Sequence, residues 1–163
     1  MGQIFGRAEH AIAGLTEIHA YFTGCVFHFV GAAIRPGTDA PAPWGDPDQG
    51  IRIFARVSGY DDERLRFSVE YPDGTTVTSL DPAPGSTVSD DVVFTCVEGR
   101  GTADKDGSRL IYHQPVWLSP LPPAGKISLI AHWPAYGITH ATLHCDCAAL
   151  GQAANEAHYF WQA

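Results

Sequence analysis

The sequence predicts an all-β fold: an antiparallel β-sandwich of immunoglobulin-like or jelly-roll type with one C-terminal α-helix. Short runs in which apolar and polar residues alternate indicate strands with one buried face. These runs follow one another closely, separated by stretches rich in the 17 glycines and 12 prolines, which is typical of sandwiches and barrels. A chain of 163 residues has the length of one domain. We therefore expect one domain over 1–163, with an N-terminal segment at 1–13, the sandwich at 14–145 and the helix at 146–161.

About seven or eight strands are predicted. The clearest is 65–71, where the odd-numbered residues are apolar and the even-numbered ones are polar. Asp73-Gly74 then forms a hairpin turn into the β-branched run 75–78. Thr23-Gly24 is a second turn candidate. The other predicted strands are 16–22, 25–30, 51–57 (which also fits a helical turn), 92–97, 109–118, 127–133 and 139–145.

The last predicted element is a helix. Asp146 is a suitable N-cap, and it is followed by apolar residues at helical spacing. Gly151 weakens this helix by up to about 1 kcal/mol relative to alanine. Residues 3–13 are expected to form a second, shorter helix. The apolar residues of the C-terminal helix are Leu150, Ala153, Ala154, Ala157, Phe160 and Trp161.

Glycine and proline mark the expected breaks between the strands. The longest is 35–50, and shorter ones are expected at 81–90 and 99–107. Pro115 and Pro120 lack the N–H group that a sheet ladder requires, so we expect residues 115–125 to lie on a sheet edge or to leave the sheet.

The charge balance limits the partners. Ten Lys and Arg residues against 18 Asp and Glu residues give a net charge of −8, which argues against nucleic acid because phosphate binding needs a basic surface. The longest apolar run, 25–33, is about half a membrane span. Residues 1–10 lack the pattern of a secretory signal, and the four cysteines show no CxxC pair. We therefore expect a cytoplasmic protein with free thiols and no membrane partner.

Four stretches carry a resemblance to a known family: Tyr21–Phe27, Val69–Gly74, Trp117–Gly125 and Trp133–Ile138. Together they resemble a family of uncharacterised β-rich proteins that is abundant in actinobacteria, over about residues 14–146. The resemblance implies a cytoplasmic, strand-rich domain. It implies no activity, cofactor or catalytic residue.

Histidine is the unusual component of this sequence, with eight residues. If strands 127–133 and 139–145 pair so that their apolar residues share one face, His132 lies opposite His140 on the other face. Their Cβ atoms are then about 5 Å apart, close enough to share a metal ion. A third ligand would have to come from His113 or from an acidic residue of a neighbouring strand. His144 lies about 13 Å further along the strand and is too distant.

Motifs for catalysis are not found. The sequence has no G-x-S-x-G and no phosphate-binding glycine loop. His144 and Cys145 are adjacent on a strand and therefore point to opposite faces. The run 104–107 resembles the start of a calcium loop, but Pro115 stands where the bidentate glutamate is required. The sequence therefore offers no candidate catalytic residue, and the hypothesis that the protein is an enzyme is the less favoured one.

Two functions follow from these observations. The favoured one is a non-enzymatic cytoplasmic module, without a cofactor, that binds another protein or assembles with itself. The alternative is a metal- or small-ligand-binding β-barrel, either an enzyme or a sensor, in which His113, His132 and His140 hold Zn²⁺ or another divalent transition metal. The aromatic anchors expected for the favoured function are Trp44, Tyr136, Tyr159, Phe160 and Trp161.

Overall fold

A computed structural model of the protein describes residues 2–34, 65–78, 92–97, 99–104 and 108–157. Over these residues the chain forms two antiparallel sheets and one C-terminal α-helix, which confirms the predicted sandwich and excludes a closed barrel. The described part of the chain contains no helix with the length and hydropathy of a membrane span.

Ten strands are described, and together they form both layers of the sandwich. In chain order they are β1 (Gln3–Arg7), β2 (Ala11–Tyr21), β3 (Gly24–Ile34), β4 (Arg66–Glu70), β5 (Thr76–Thr78), β6 (Val93–Cys96), β7 (Arg100–Ala103), β8 (Arg109–Ser119), β9 (Lys126–Trp133) and β10 (Ile138–Asp146). Sheet A has the order β1-β2-β3-β8-β6, with β7 also paired to β8. Sheet B has the order β10-β9-β4-β5. The predicted strand 51–57 and the predicted breaks 35–50 and 81–90 lie outside the described residues.

Aromatic side chains fill the space between the sheets. Phe29 of sheet A stacks on Phe67 of sheet B, with ring centroids 4.0 Å apart and planes 8° from parallel. Phe27 and Trp133 are fully buried beside them. Removing such a side chain from water stabilises the fold by about 1.5–3 kcal/mol. The strands with the clearest alternation in the sequence, β3, β4 and β9, therefore carry most of this core.

The C-terminal helix α1 (Cys147–Asn155) begins where the sequence predicts it. Asp146 is the N-cap, and its Oδ1 accepts a hydrogen bond of 3.0 Å from the N–H of Ala148. Cys147, Leu150 and Ala154 are its buried residues. The helix ends earlier than predicted, at Asn155, and residues 158–161 of the predicted helix lie outside the described residues.

The prediction of a helix over residues 3–13 is wrong. Strand β1 and the first part of β2 occupy this segment, so the sandwich begins at Gln3 rather than at residue 14. Gly6 lies against β10, where an added Cβ would come within 3.2 Å of the Cβ of Ala141. Close packing and ladder hydrogen bonds at the sheet edge therefore make residues 3–13 extended, although their sequence pattern favours a helix.

The break expected at 99–107 is also wrong, and the expectation for 115–125 is wrong for 115–119 only, because residues 120–125 leave the sheet as predicted. The predicted break at 99–107 contains β7, which pairs with β8 from Arg100 opposite His113. Strand β8 continues to Ser119 through Pro115 and is an interior strand of sheet A. The carbonyl of Pro115 accepts a hydrogen bond from the N–H of Val97. In an antiparallel strand the N and C=O groups of one residue point to the same side. The missing N–H of Pro115 therefore faces the interruption between β6 and β7, not β3.

The turn between β2 and β3 differs from the prediction by one residue. Tyr21 pairs with Gly24, so Phe22 and Thr23 form the turn and Gly24 is the first residue of β3. A Cβ at Gly24 would lie 2.3 Å from the carbonyl oxygen of Leu118. Glycine is therefore required here by the close approach of β8 rather than by the turn.

Two glycine variants test these contacts. We expect Gly151→Ala to stabilise the protein by about 0.5–1 kcal/mol, because alanine is the better helix former and no atom lies within 4 Å of the added Cβ. Gly24→Ala should destabilise it by about 1–3 kcal/mol, because backbone atoms of β8 must move. Urea unfolding measures both changes. An unchanged stability of Gly24→Ala would contradict the close approach of the two strands.

Candidate functional site

The exposed large hydrophobic side chains of the described residues all belong to sheet A, either on its strands or directly beside them. Sheet B exposes none among the residues described. This asymmetry singles out the outer face of sheet A as the candidate functional surface. The exposed residues are Ile4, Tyr21, Phe22, Ile34, Val93, Val97 and Ile111.

Five apolar residues lie at one end of sheet A and are called the apolar patch: Tyr21, Phe22, Val26, Val93 and Trp117. The rings of Tyr21 and Trp117 lie 5.9 Å apart at 52°, and Val26 is in register with Trp117. On the other side of β8, Val93 is in register with Ser119, and its side chain is half exposed (50%). The apolar patch therefore crosses four strands, from β2 to β6.

A β-bulge in β2 directs ionisable side chains to the same face. The pairing shifts from Leu15 opposite Phe29 to Glu17 opposite His28, so Thr16 is an extra residue in β2. The Thr16 hydroxyl donates a hydrogen bond of 2.9 Å to the carbonyl of His28. Glu17 and His19 consequently point outward, on the same side as His28.

The sequence contains a signal for this bulge that the prediction missed. Before Thr16 the inward residues of β2 are odd-numbered, such as Ala11 and Ala13; after it they are even-numbered, Ile18 and Ala20. A change of phase by one residue within an apolar alternation indicates a bulge, because otherwise half of the strand would turn its apolar side to water.

Glu17, His19 and His28 form a cluster, which we call the Glu–His–His cluster. Oε2 of Glu17 lies 3.3 Å from Nε2 of His19, and Oε1 lies 3.9 Å from Nδ1 of His28. The two imidazole rings are 4.6 Å apart. One ligand atom from each residue lies within 4.8 Å of the others, and no other three ligating groups of the described residues meet this criterion.

The predicted histidine site is not assembled in the structure. His113 lies on the outer face of sheet A, opposite Val30, whereas His132 belongs to sheet B, opposite Arg66. The predicted register of β9 and β10 is confirmed, with Ala131 opposite Ala141 and Ile127 opposite Cys145.

A second bulge changes the end of that hairpin. The register of β9 and β10 shifts between Ile138 and Ala141, so Thr139 and His140 both lie opposite His132. The Nδ1–H of His132 donates to the carbonyl of Thr139. That nitrogen is therefore engaged with the backbone and Nε2 is the ring's other nitrogen, so the sharing of a metal ion between His132 and His140 stays a prediction.

One of the five predicted aromatic anchors lies within the described residues. Tyr136 stands in a 3-10 turn (Pro134–Tyr136), is half-buried, and packs its ring 4.5 Å from that of Trp133. Its role in partner binding stays a prediction. Trp44, Tyr159, Phe160 and Trp161 lie outside the described residues, so their predicted role stays a prediction as well.

The cysteines are free thiols, and two of them are fully buried. Burial, with smaller contributions from Cys147 and Cys145, raises the pKa of Cys25 from 9.0 to about 12. Burial likewise raises the pKa of Cys147 to about 11. A nucleophilic cysteine requires a lowered pKa, so these thiols serve packing. Cys25 is thus a small residue of the core.

A scan against models of protein families and a search of the curated proteins found no match to this chain. Function is therefore argued from the geometry of the outer face of sheet A.

The buried thiols make stability depend on alkaline pH. A thiol whose pKa is higher in the folded than in the unfolded chain stabilises the fold fully below the unfolded value, and this contribution is lost as pH rises through the folded value. For Cys25 that window runs from 9.0 to about 12. We expect the free energy of unfolding to fall above pH 9 by up to about 1.4 kcal/mol per pH unit for each such thiol.

Urea unfolding between pH 7 and 10.5 measures this slope. Cys25→Ala should reduce the slope above pH 9, whereas Gly151→Ala should leave it unchanged. Equal slopes in the wild type and Cys25→Ala would show that the Cys25 thiol does not titrate with folding.

Proposed function

We propose that the protein is a non-enzymatic cytoplasmic interaction module that assembles with a second copy of itself through the outer face of sheet A. The observation that carries this proposal is the apolar patch around Tyr21 and Trp117. Tyrosine and tryptophan supply most of the binding energy in many interfaces because they bury a large area at a small entropic cost. Both rings stand on paired strands, which hold them in place before a partner arrives.

Charge favours a second copy as the partner. The patch stands on four paired strands. Over residues 17–21, 24–28, 93–96 and 115–119 of these strands, Glu17 is the only aspartate, glutamate, lysine or arginine. Two such faces meet with little repulsion between like charges. The chain as a whole carries a net charge of −8, so contact through more acidic surfaces would be repulsive. A two-fold dimer through the part of the face that surrounds the patch reduces that cost.

Two further observations support the remaining parts of the proposal. The four cysteines are free, as expected in a reducing cytoplasm. Burial raises the pKa of the Cys25, Cys96, Cys145 and Cys147 thiols, so at neutral pH none of them is an activated nucleophile. Both favour an interaction module over a thiol enzyme.

Sedimentation velocity over a range of protein concentrations tests self-association. Trp117→Ser should weaken the dimer by at least about 30-fold, which is the 2 kcal/mol that defines an interface hot spot. Tyr21→Ser should weaken it in the same direction. Circular dichroism and urea unfolding verify that each variant remains folded.

Ile111→Ser is the matched control. Its side chain is as exposed as that of Tyr21 (44% against 45%) and lies on the same face, but about 20 Å from Trp117 along β8. It should leave the dimer unchanged. A wild type that stays monomeric at every concentration, or an equal effect of Ile111→Ser and Trp117→Ser, would overturn the proposal.

A further inference from the structure

We propose that Glu17, His19 and His28 form a binding site for a divalent transition metal ion, with Zn²⁺ as the best match. The site lies on the same face as the apolar patch but uses different side chains, and neither proposal depends on the other.

The donor set selects the class of metal. Two imidazole nitrogens and one carboxylate oxygen are ligands that zinc and neighbouring transition metals prefer, whereas Ca²⁺ and Mg²⁺ require oxygen ligands. Three protein ligands leave one tetrahedral position open. Because Glu17 and His19 are exposed and His28 is partly exposed, that position is open to water or an anionic ligand.

The distances are close to those of a tetrahedral site. Zinc bonds of 2.0–2.1 Å place neighbouring ligand atoms about 3.3 Å apart. Oε2 of Glu17 has this spacing from Nε2 of His19, at 3.3 Å, and the other oxygen, Oε1, lies 3.9 Å from Nδ1 of His28. The ligand atoms of the three residues lie within 4.8 Å of one another. Side-chain rotations that move these atoms by about 1 Å bring them to the tetrahedral spacing.

The backbone holds the three residues in place. Glu17 and His19 are two residues apart on β2 and therefore share a face, and His28 is directly opposite Glu17 on β3. The bulge at Thr16 sets this alignment, and the hydrogen bond from its hydroxyl to His28 fixes it. Bulges frequently re-aim side chains at functional sites, and sites on strands are more rigid than sites on loops.

Titration of the full chain with Zn²⁺, in competition with a chromophoric chelator, tests the site. The protein must carry no histidine tag, since a tag would bind the metal itself. We expect one Zn²⁺ per chain with high affinity. Loss of an outer-shell partner of a zinc ligand already costs 10–100-fold in affinity, so His19→Gln, His28→Gln and Glu17→Gln should each weaken binding at least about tenfold.

His113→Gln is the matched control, because it removes a histidine from the same face of sheet A outside the cluster. It should leave zinc affinity unchanged, as should Trp117→Ser, which separates this result from self-association. Circular dichroism verifies folding of each variant. Unchanged zinc affinity in both His19→Gln and His28→Gln would overturn the proposal.

Co²⁺ substitution provides a second readout. The intensity of its visible absorption distinguishes tetrahedral from octahedral coordination, and nitrogen and oxygen ligands give no sulfur-to-metal charge-transfer band. We expect a tetrahedral spectrum without that band, lost in His28→Gln. A charge-transfer band that disappears in Cys145→Ser would place the metal on thiols and would equally overturn the proposal.

Discussion

The outer face of sheet A depends on one constraint, which is that the apolar residues of β2 must point into the core on both sides of Thr16. Ala11 and Ala13 precede it with one parity, and Ile18 and Ala20 follow with the other. A regular strand cannot bury both sets, since neighbouring side chains alternate between faces. One extra residue solves the conflict, and the same extra residue brings Glu17 opposite His28. The core therefore determines where the ionisable groups of the surface stand.

That surface carries the two features on which the proposals rest, and they stand next to each other. Val26 is in register with His19 on one side and with Trp117 on the other, so it joins the Glu–His–His cluster to the apolar patch. Apolar rings give affinity without direction, whereas two imidazoles and a carboxylate demand a fixed geometry. Both sets stand on strands whose opposite face packs into the core through Phe27, Phe29 and Val116. The packed core therefore holds the backbone of the surface residues in place.

The sequence predicted correctly those strands in which apolar and polar residues alternate, because burial of the apolar face stabilises them. Strand β4 and the register of Ala131 with Ala141 follow directly from matching apolar faces. Strands β1 and β7 lack this signal, because Gly6 and Gly101 leave gaps in any apolar pattern and the strands are held by ladder hydrogen bonds to β2 and β8. For the site, the late concentration of histidines favoured His113, His132 and His140. The division between two sheets separates His113 from His132 and His140, and the bulge at Thr16 sets Glu17 and His19 beside His28; neither feature is visible in composition.

Pro115 carries a consequence for how sheet A meets other chains. Strand β8 is flanked on one side by β6 and β7, each four residues long, and the proline stands where one gives way to the other. An intruding strand that replaced both short strands would find no donor at that point and would lose its ladder there. This edge of sheet A therefore resists the addition of strands in a growing fibril, which needs an uninterrupted row of amide and carbonyl groups. Strand addition from another molecule is therefore disfavoured at this edge of sheet A.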